Sequence, residues 1–121
     1  MQTIEDRREF KRFMVKDASS FVTHANWPDK GVLVDISKGG LAFHYNSEVP
    51  WGDETADCMV VGDHNSSLSS IPTTLVDDRL VPCGQGQTMV VRRRSLKFGA
   101  LNEQQRVLLD CFIWINSVAH C

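Results

Sequence analysis

Apolar residues come in short clusters along most of this chain and take up a helical period only near its end. Residues 13–23, rich in Val, Phe, Ser and Thr, predict a strand, and the stretch from Asn26 through Trp27, Pro28, Asp29 and Lys30 to Gly31 predicts a turn. Val32, Leu33 and Val34 then predict a short buried strand. Leu41, Phe43 and Tyr45, alternating with Ala42 and His44, predict another. A loop holding Pro50 and Gly52 leads to the apolar run from Cys58 to Val61, and Gly62, Asp63, His64 and Asn65 are turn residues before a Ser/Thr-rich strand over 68–76. Pro72 predicts that this strand lies at an edge or carries a bulge, because proline cannot donate to a ladder. Gly84 and Gly86 precede two further short strands, over 88–92 and 96–98. Short strands at this spacing predict a mainly β domain, either a closed barrel or a sandwich.

The period then changes. Val107, Leu108, Cys111, Phe112, Ile115, Val118 and Ala119 fall at i, i+1, i+4 and i+5 spacing, which predicts a helix over 103–118 with this broad stripe turned to the strands. Asn102 and Gln105 have the spacing of a capping box. Leu109 and Ile113 fall off the stripe, and such an i, i+4 apolar pair is either a docking patch or the ordinary burial of a wide helix face.

Composition narrows the field. The 121 residues, 42% hydrophobic and 23% charged, suit one globular domain. No apolar run approaches the roughly 20 residues of a membrane span, and the first residues lack a secretory leader, so a soluble cytoplasmic chain is expected. Cys58, Cys83, Cys111 and Cys121 are far apart with no CxxC, which predicts free thiols in a reducing compartment. His24, His44, His64 and His120 show no metal-ligand spacing, and no hydrolase, zinc-protease or phosphate-loop motif occurs, so neither a metal nor an enzymatic activity is expected. A net charge of −2 argues against a protein that tracks a long polyanion.

The basic residues are nevertheless clustered, with Arg7, Arg8, Lys11 and Arg12 early and Arg92, Arg93 and Arg94 late. A guanidinium offers a rigid fork of donors that matches a phosphate edge or the O6 and N7 acceptors of guanine, and its flat face stacks on a base. The early cluster is thus either a nucleotide-binding segment or a solvated basic tail. The late arginines are candidates to add positive field at a ligand, but they sit in a predicted strand, where alternate side chains face opposite ways, so all three cannot serve one site. A second constellation is Asp35, Ser37, Gly39 and Gly40 in a tight connection between two strands. Asp accepts from the N1–H and N2–H edge of guanine, Ser bonds a phosphate or base, and glycines let backbone amides approach a ligand. The alternative is a plain β-turn in which Asp and Ser satisfy backbone donors and Gly supplies a positive φ.

Taken together, RRxxxR at Arg7, Arg8 and Arg12 followed by DxSxxG at Asp35, Ser37 and Gly40 resembles the PilZ domain family, with further likeness through Leu41, Ala42 and Phe43 and at Phe98 and Gly99. The resemblance implies a six-stranded antiparallel β-barrel of the split type with a C-terminal α-helix. It also implies a receptor, without catalysis, for the bacterial second messenger cyclic di-GMP. In that pattern Arg7, Arg8 and Arg12 hold phosphates and guanine, while Asp35, Ser37, Gly39 and Gly40 read the other side of the ligand. Residues 1–12 would form an arginine-motif segment and 13–121 the barrel and helix of one domain. An effector protein is the expected partner, with a second copy of the chain as a further candidate. The segment from Glu5 to Arg12 has only Phe10 to bury, so it is expected to be mobile until liganded. Two rivals stand beside this. One is an interaction module of the same fold that binds no nucleotide; the other is a single-strand nucleic-acid binder, whose interleaved aromatic and basic side chains the strands lack.

Overall fold

A computed structural model describes residues 10–16, 18–52, 54–82 and 89–118. Its strands are β1 (Phe13–Met14), β2 (Phe21–Thr23), β3 (Gly31–Ile36), β4 (Gly40–Asn46), β5 (Thr55–Val61), β6 (Ser67–Leu80) and β7 (Val91–Phe98), followed by the helix α1 (Glu103–Asn116). The sheet runs β1-β3-β2-β5-β6-β7-β4, and β4 returns to pair with β3, which closes β2 to β7 into a six-stranded ring. Every pairing is antiparallel. The open choice between sandwich and barrel therefore resolves to a barrel, with a C-terminal helix.

Two elements differ from what the hydrophobic pattern predicts. The strand expected over 13–23 is broken: β1 pairs with one end of β3 (Phe13 with Ile36) and β2 with the other (Phe21 with Val32). Ala18, at φ 54°, turns the chain between them, and bonds from Val15 N to Val34 O (3.1 Å) and Leu33 N to Ser20 O (2.9 Å) carry the ladder across the break. The two strands expected over 88–92 and 96–98 are one, because Arg92 and Arg94 point inward among apolar neighbours and are paired there with Asp78. A charge with a buried partner sits in a core position that apolar counting reads as a break. The turn predicted from Asn26 onward forms, and its Trp27 is buried against Phe43 and Trp51.

Pro72 costs no ladder bond. Its carbonyl accepts from Gly99 N (2.8 Å), so its nitrogen faces the same side, beyond Phe98 where β7 has ended. A bulge of β6 lies a few residues on, between Leu75 and Asp77.

The helix closes one side of the barrel, and its capping box forms as predicted: Gln105 N donates to Asn102 Oδ1 (2.8 Å) and Asn102 N to Gln105 Oε1 (2.9 Å). Its buried face is a correction. Leu109, Phe112, Ile113 and Asn116 are buried, whereas Val107 and Leu108 of the predicted stripe are exposed and Trp114 is 86% exposed. Leu109 and Ile113 are thus core residues, not an exposed docking pair. The rotation is set by a polar residue: Asn116 Oδ1 accepts from Asp63 N (2.7 Å), and its Nδ2 donates to Ser66 Oγ (2.9 Å), so its amide is satisfied by the β5–β6 hairpin. Among the described residues no helix is long and apolar enough to cross a membrane.

Candidate functional site

The connection between β3 and β4 builds one wall of a cleft on the outside of the barrel. A bulge between Leu33 and Asp35 shifts the register of β3 against β4, so that Asp35 lies opposite Ala42. The turn that follows is held by Ser37. Its hydroxyl accepts from Gly39 N and Gly40 N, both at 3.1 Å, while Ser37 N donates to Gly40 O at 2.8 Å. In this state Ser37 does what the plain-turn alternative expects, and the two glycine amides are engaged by it.

Neither glycine is required for torsion, and Gly40 is required for space. Neither has a left-handed φ; a Cβ on Gly40 would lie 2.2 Å from Leu96 O, a backbone atom that cannot move aside. On Gly39 it would meet the Phe10 ring at 2.5 Å, so the aromatic ring of the N-terminal segment lies directly on the turn. The turn is also bonded to β7, where Phe98 N donates to Gly39 O at 2.9 Å.

Arg12, Asp35, Ser37, Gly39 and Gly40 line one open cleft of about 240 Å³, with Ser95 and Lys97 of β7 and Val76 of the β6 bulge on the far side. Arg7 and Arg8 lie outside the described residues, as does most of the segment expected to be mobile.

The late arginines separate as strand alternation requires. Arg92 and Arg94 turn into the barrel, where Arg92 Nε lies 2.6 Å from Asp78 Oδ1 and Arg94 Nη1 lies 2.9 Å from Asp78 Oδ2. Arg94 also donates to Trp51 O (3.0 Å) and Gly52 O (2.9 Å), and Tyr45 Oη donates to Asp78, which fastens the loop after β4 to the core. Burial pushes the Tyr45 phenol above its usual pKa, and its bond to Asp78 adds to the shift.

Arg93 faces out and donates from Nη2 to Asp35 Oδ2 at 2.7 Å, with Asp35 only 9% and Arg93 18% exposed at the side chain. The sequence left open which of the late arginines serves the site, and the parity of Arg93, opposite to Arg92 and Arg94, was the available signal. His44 pairs with Arg93 across the strands, and burial, aided by that guanidinium, holds its imidazole below the ordinary value of 6.5 against the pull of Asp35. Among the described residues no group of three or more His, Cys, Asp or Glu side chains is placed to hold a metal.

The cleft thus sets one carboxylate, Asp35, beside one guanidinium, Arg12, and one ammonium, Lys97, groups that can meet a ligand with both hydrogen-bonding edges and negative charge. The fold is that of a PilZ-like domain. The PilZ domain of YcgR from Escherichia coli, solved with c-di-GMP, superposes with a TM-score of 0.71 at 18% identity, covering 91% of each chain. The MrkH–c-di-GMP complex from K. pneumonia gives 0.69 at 13% identity, over 91% of this chain and 52% of that one. The PlzA protein of Borreliella burgdorferi, also in complex with c-di-GMP, gives 0.59 at 12%, over 91% and 54%. The chain thus spans about half the length of MrkH and PlzA. No family model matches the sequence, and no curated protein does.

Proposed function

We propose that this chain is a receptor that binds cyclic di-GMP in the cleft between Arg12 and the 35–40 turn and relays its presence to a partner protein, with no chemistry on the ligand. The observation that carries this is the convergence of Arg12 and the largely buried Asp35 on one outer cleft, in a fold whose solved relatives include complexes with that nucleotide. Asp35 accepts from the two donors of a guanine edge, Arg12 takes a phosphate or stacks on a base, and Arg7 and Arg8 supply the remaining positive charge. The bacterial cytoplasm is the corresponding compartment, and an effector protein, or a second copy of the chain, the corresponding partner.

Base preference tests this. Adenine presents a lone pair where guanine presents N1–H, so Asp35 repels it. Calorimetric titration should give tighter binding of cyclic di-GMP than of cyclic di-AMP by about tenfold or more, the worth of one hydrogen bond to a charged group, and GMP should bind more weakly for want of the second nucleotide. Equal affinities for the guanine and adenine compounds would remove Asp35 as the base reader.

A further inference from the structure

We propose that Arg93 is the positioning residue for Asp35 and thereby sets the base preference of the cleft, an inference that rests on the receptor function proposed above. Arg93 Nη2 donates to Asp35 Oδ2 at 2.7 Å, with both side chains mostly withdrawn from water. The two residues are not on adjacent strands: Asp35 is on β3 and Arg93 on β7, with β4 between them. The small side chain of Ala42, opposite both Asp35 and Ser95, leaves room for the long arm of Arg93 to lie across β4 and reach the carboxylate.

Arg93 is also the one member of its triplet available for this role. Arg92 and Arg94 are committed to Asp78 inside the barrel, and strand alternation puts Arg93 on the ligand side. A carboxylate has about four acceptor positions, and a single bond from Arg93 occupies one of them, so both oxygens of Asp35 can still accept from a base. Arg93 fixes which way they point. A carboxylate free to rotate meets one donor of any base, whereas a fixed one meets the paired N1–H and N2–H of guanine and opposes the N1 lone pair of adenine.

The test uses the full chain with Arg93→Met, which keeps the length of the apolar stem, and Arg93→Lys, which keeps the charge but loses the planar fork. Calorimetry with cyclic di-GMP and cyclic di-AMP, beside thermal melts, gives affinity, base preference and folding for each. For Arg93→Met the expected result is a loss of cyclic di-GMP affinity of roughly tenfold, the size of one charged hydrogen bond. Cyclic di-AMP affinity should change less, so that the preference falls, while both variants melt cooperatively. Arg93→Lys should restore part of the affinity and less of the preference. Wild-type preference in either variant would overturn the inference. Equal losses for the two nucleotides would overturn it too, since that is the signature of a general positive field. Failure of the wild-type chain to bind cyclic di-GMP would overturn the receptor function itself, and is distinct from wild-type binding that the Arg93 variants reproduce.

Discussion

Asp78→Ala is expected to destabilise the chain by about 3–5 kcal/mol, the cost of removing one partner of a buried ion pair. Arg94 is fully buried, and Asp78 supplies its counter-charge at 2.9 Å. Two backbone carbonyls, Trp51 O and Gly52 O, share the load but carry no net charge. A cost of this size is a large part of the roughly 5–15 kcal/mol by which a domain is stable. The companion substitution separates the pair from the protein around it. Asp78→Leu combined with Arg92→Met and Arg94→Met should be far less destabilising than Asp78→Ala alone, because replacing all three ions with apolar groups leaves neither guanidinium uncompensated. Urea denaturation of the wild type, the single and the triple variant measures this, and a loss under about 1 kcal/mol in the single variant would mean that the carbonyls alone suffice for Arg94. The loop fastened by Trp51 and Gly52 should be the first region to gain amide exchange.

Asp35→Ala is expected to lower cyclic di-GMP affinity by about 10- to 100-fold, corresponding to roughly 1.5–3 kcal/mol for bonds to a charged group. Arg12→Ala should act on the same scale, and Arg12→Lys nearly as strongly, because an ammonium keeps the charge but loses the fork and the stacking face. The two positions differ in their effect on folding. Arg12 is exposed, so its melting temperature should stay within the small range of surface substitutions. Asp35 is buried against Arg93, and its loss should cost stability as well. Titration and melting of the three variants test this pattern. Wild-type affinity in Arg12→Lys would show that the cleft uses simple charge neutralisation.

The sequence carried the strands and the helix because both rest on periodicity, while the barrel, as against a sandwich, followed only from the resemblance carried by the two motifs. Strand alternation over 41–45 and the capping box of Asn102 and Gln105 reappear as expected. What it concealed was each place where a polar group occupies a core position. Arg92 and Arg94 made β7 look like two strands, since their burial depends on Asp78, which is distant in sequence. Asn116 rotated the helix by a face, since its amide finds its partners on the β5–β6 hairpin. The break between β1 and β2 depends on a single positive φ at Ala18, a residue type that gives no warning of it. The sequence offered a list of candidate site residues and no geometry for them. Asp35 could be singled out as an acceptor, but its ion pair with Arg93 requires knowing that β4 lies between β3 and β7. Phe10 read as a lone anchor in a charged tail, yet it covers Gly39 and forms part of the cleft.

The central claim is that one outer cleft binds cyclic di-GMP, and amide chemical-shift mapping of the isotope-labelled chain during titration tests it most directly. The predicted result is saturable shifts at Ser37, Gly39, Gly40, Ser95 and Lys97, which line the cleft or lie within it. Shifts should be small at Asp63 and Ser66, where the far end of the helix meets the hairpin. Shifts absent at saturating nucleotide, or confined to the helix and the β5–β6 hairpin, would contradict it.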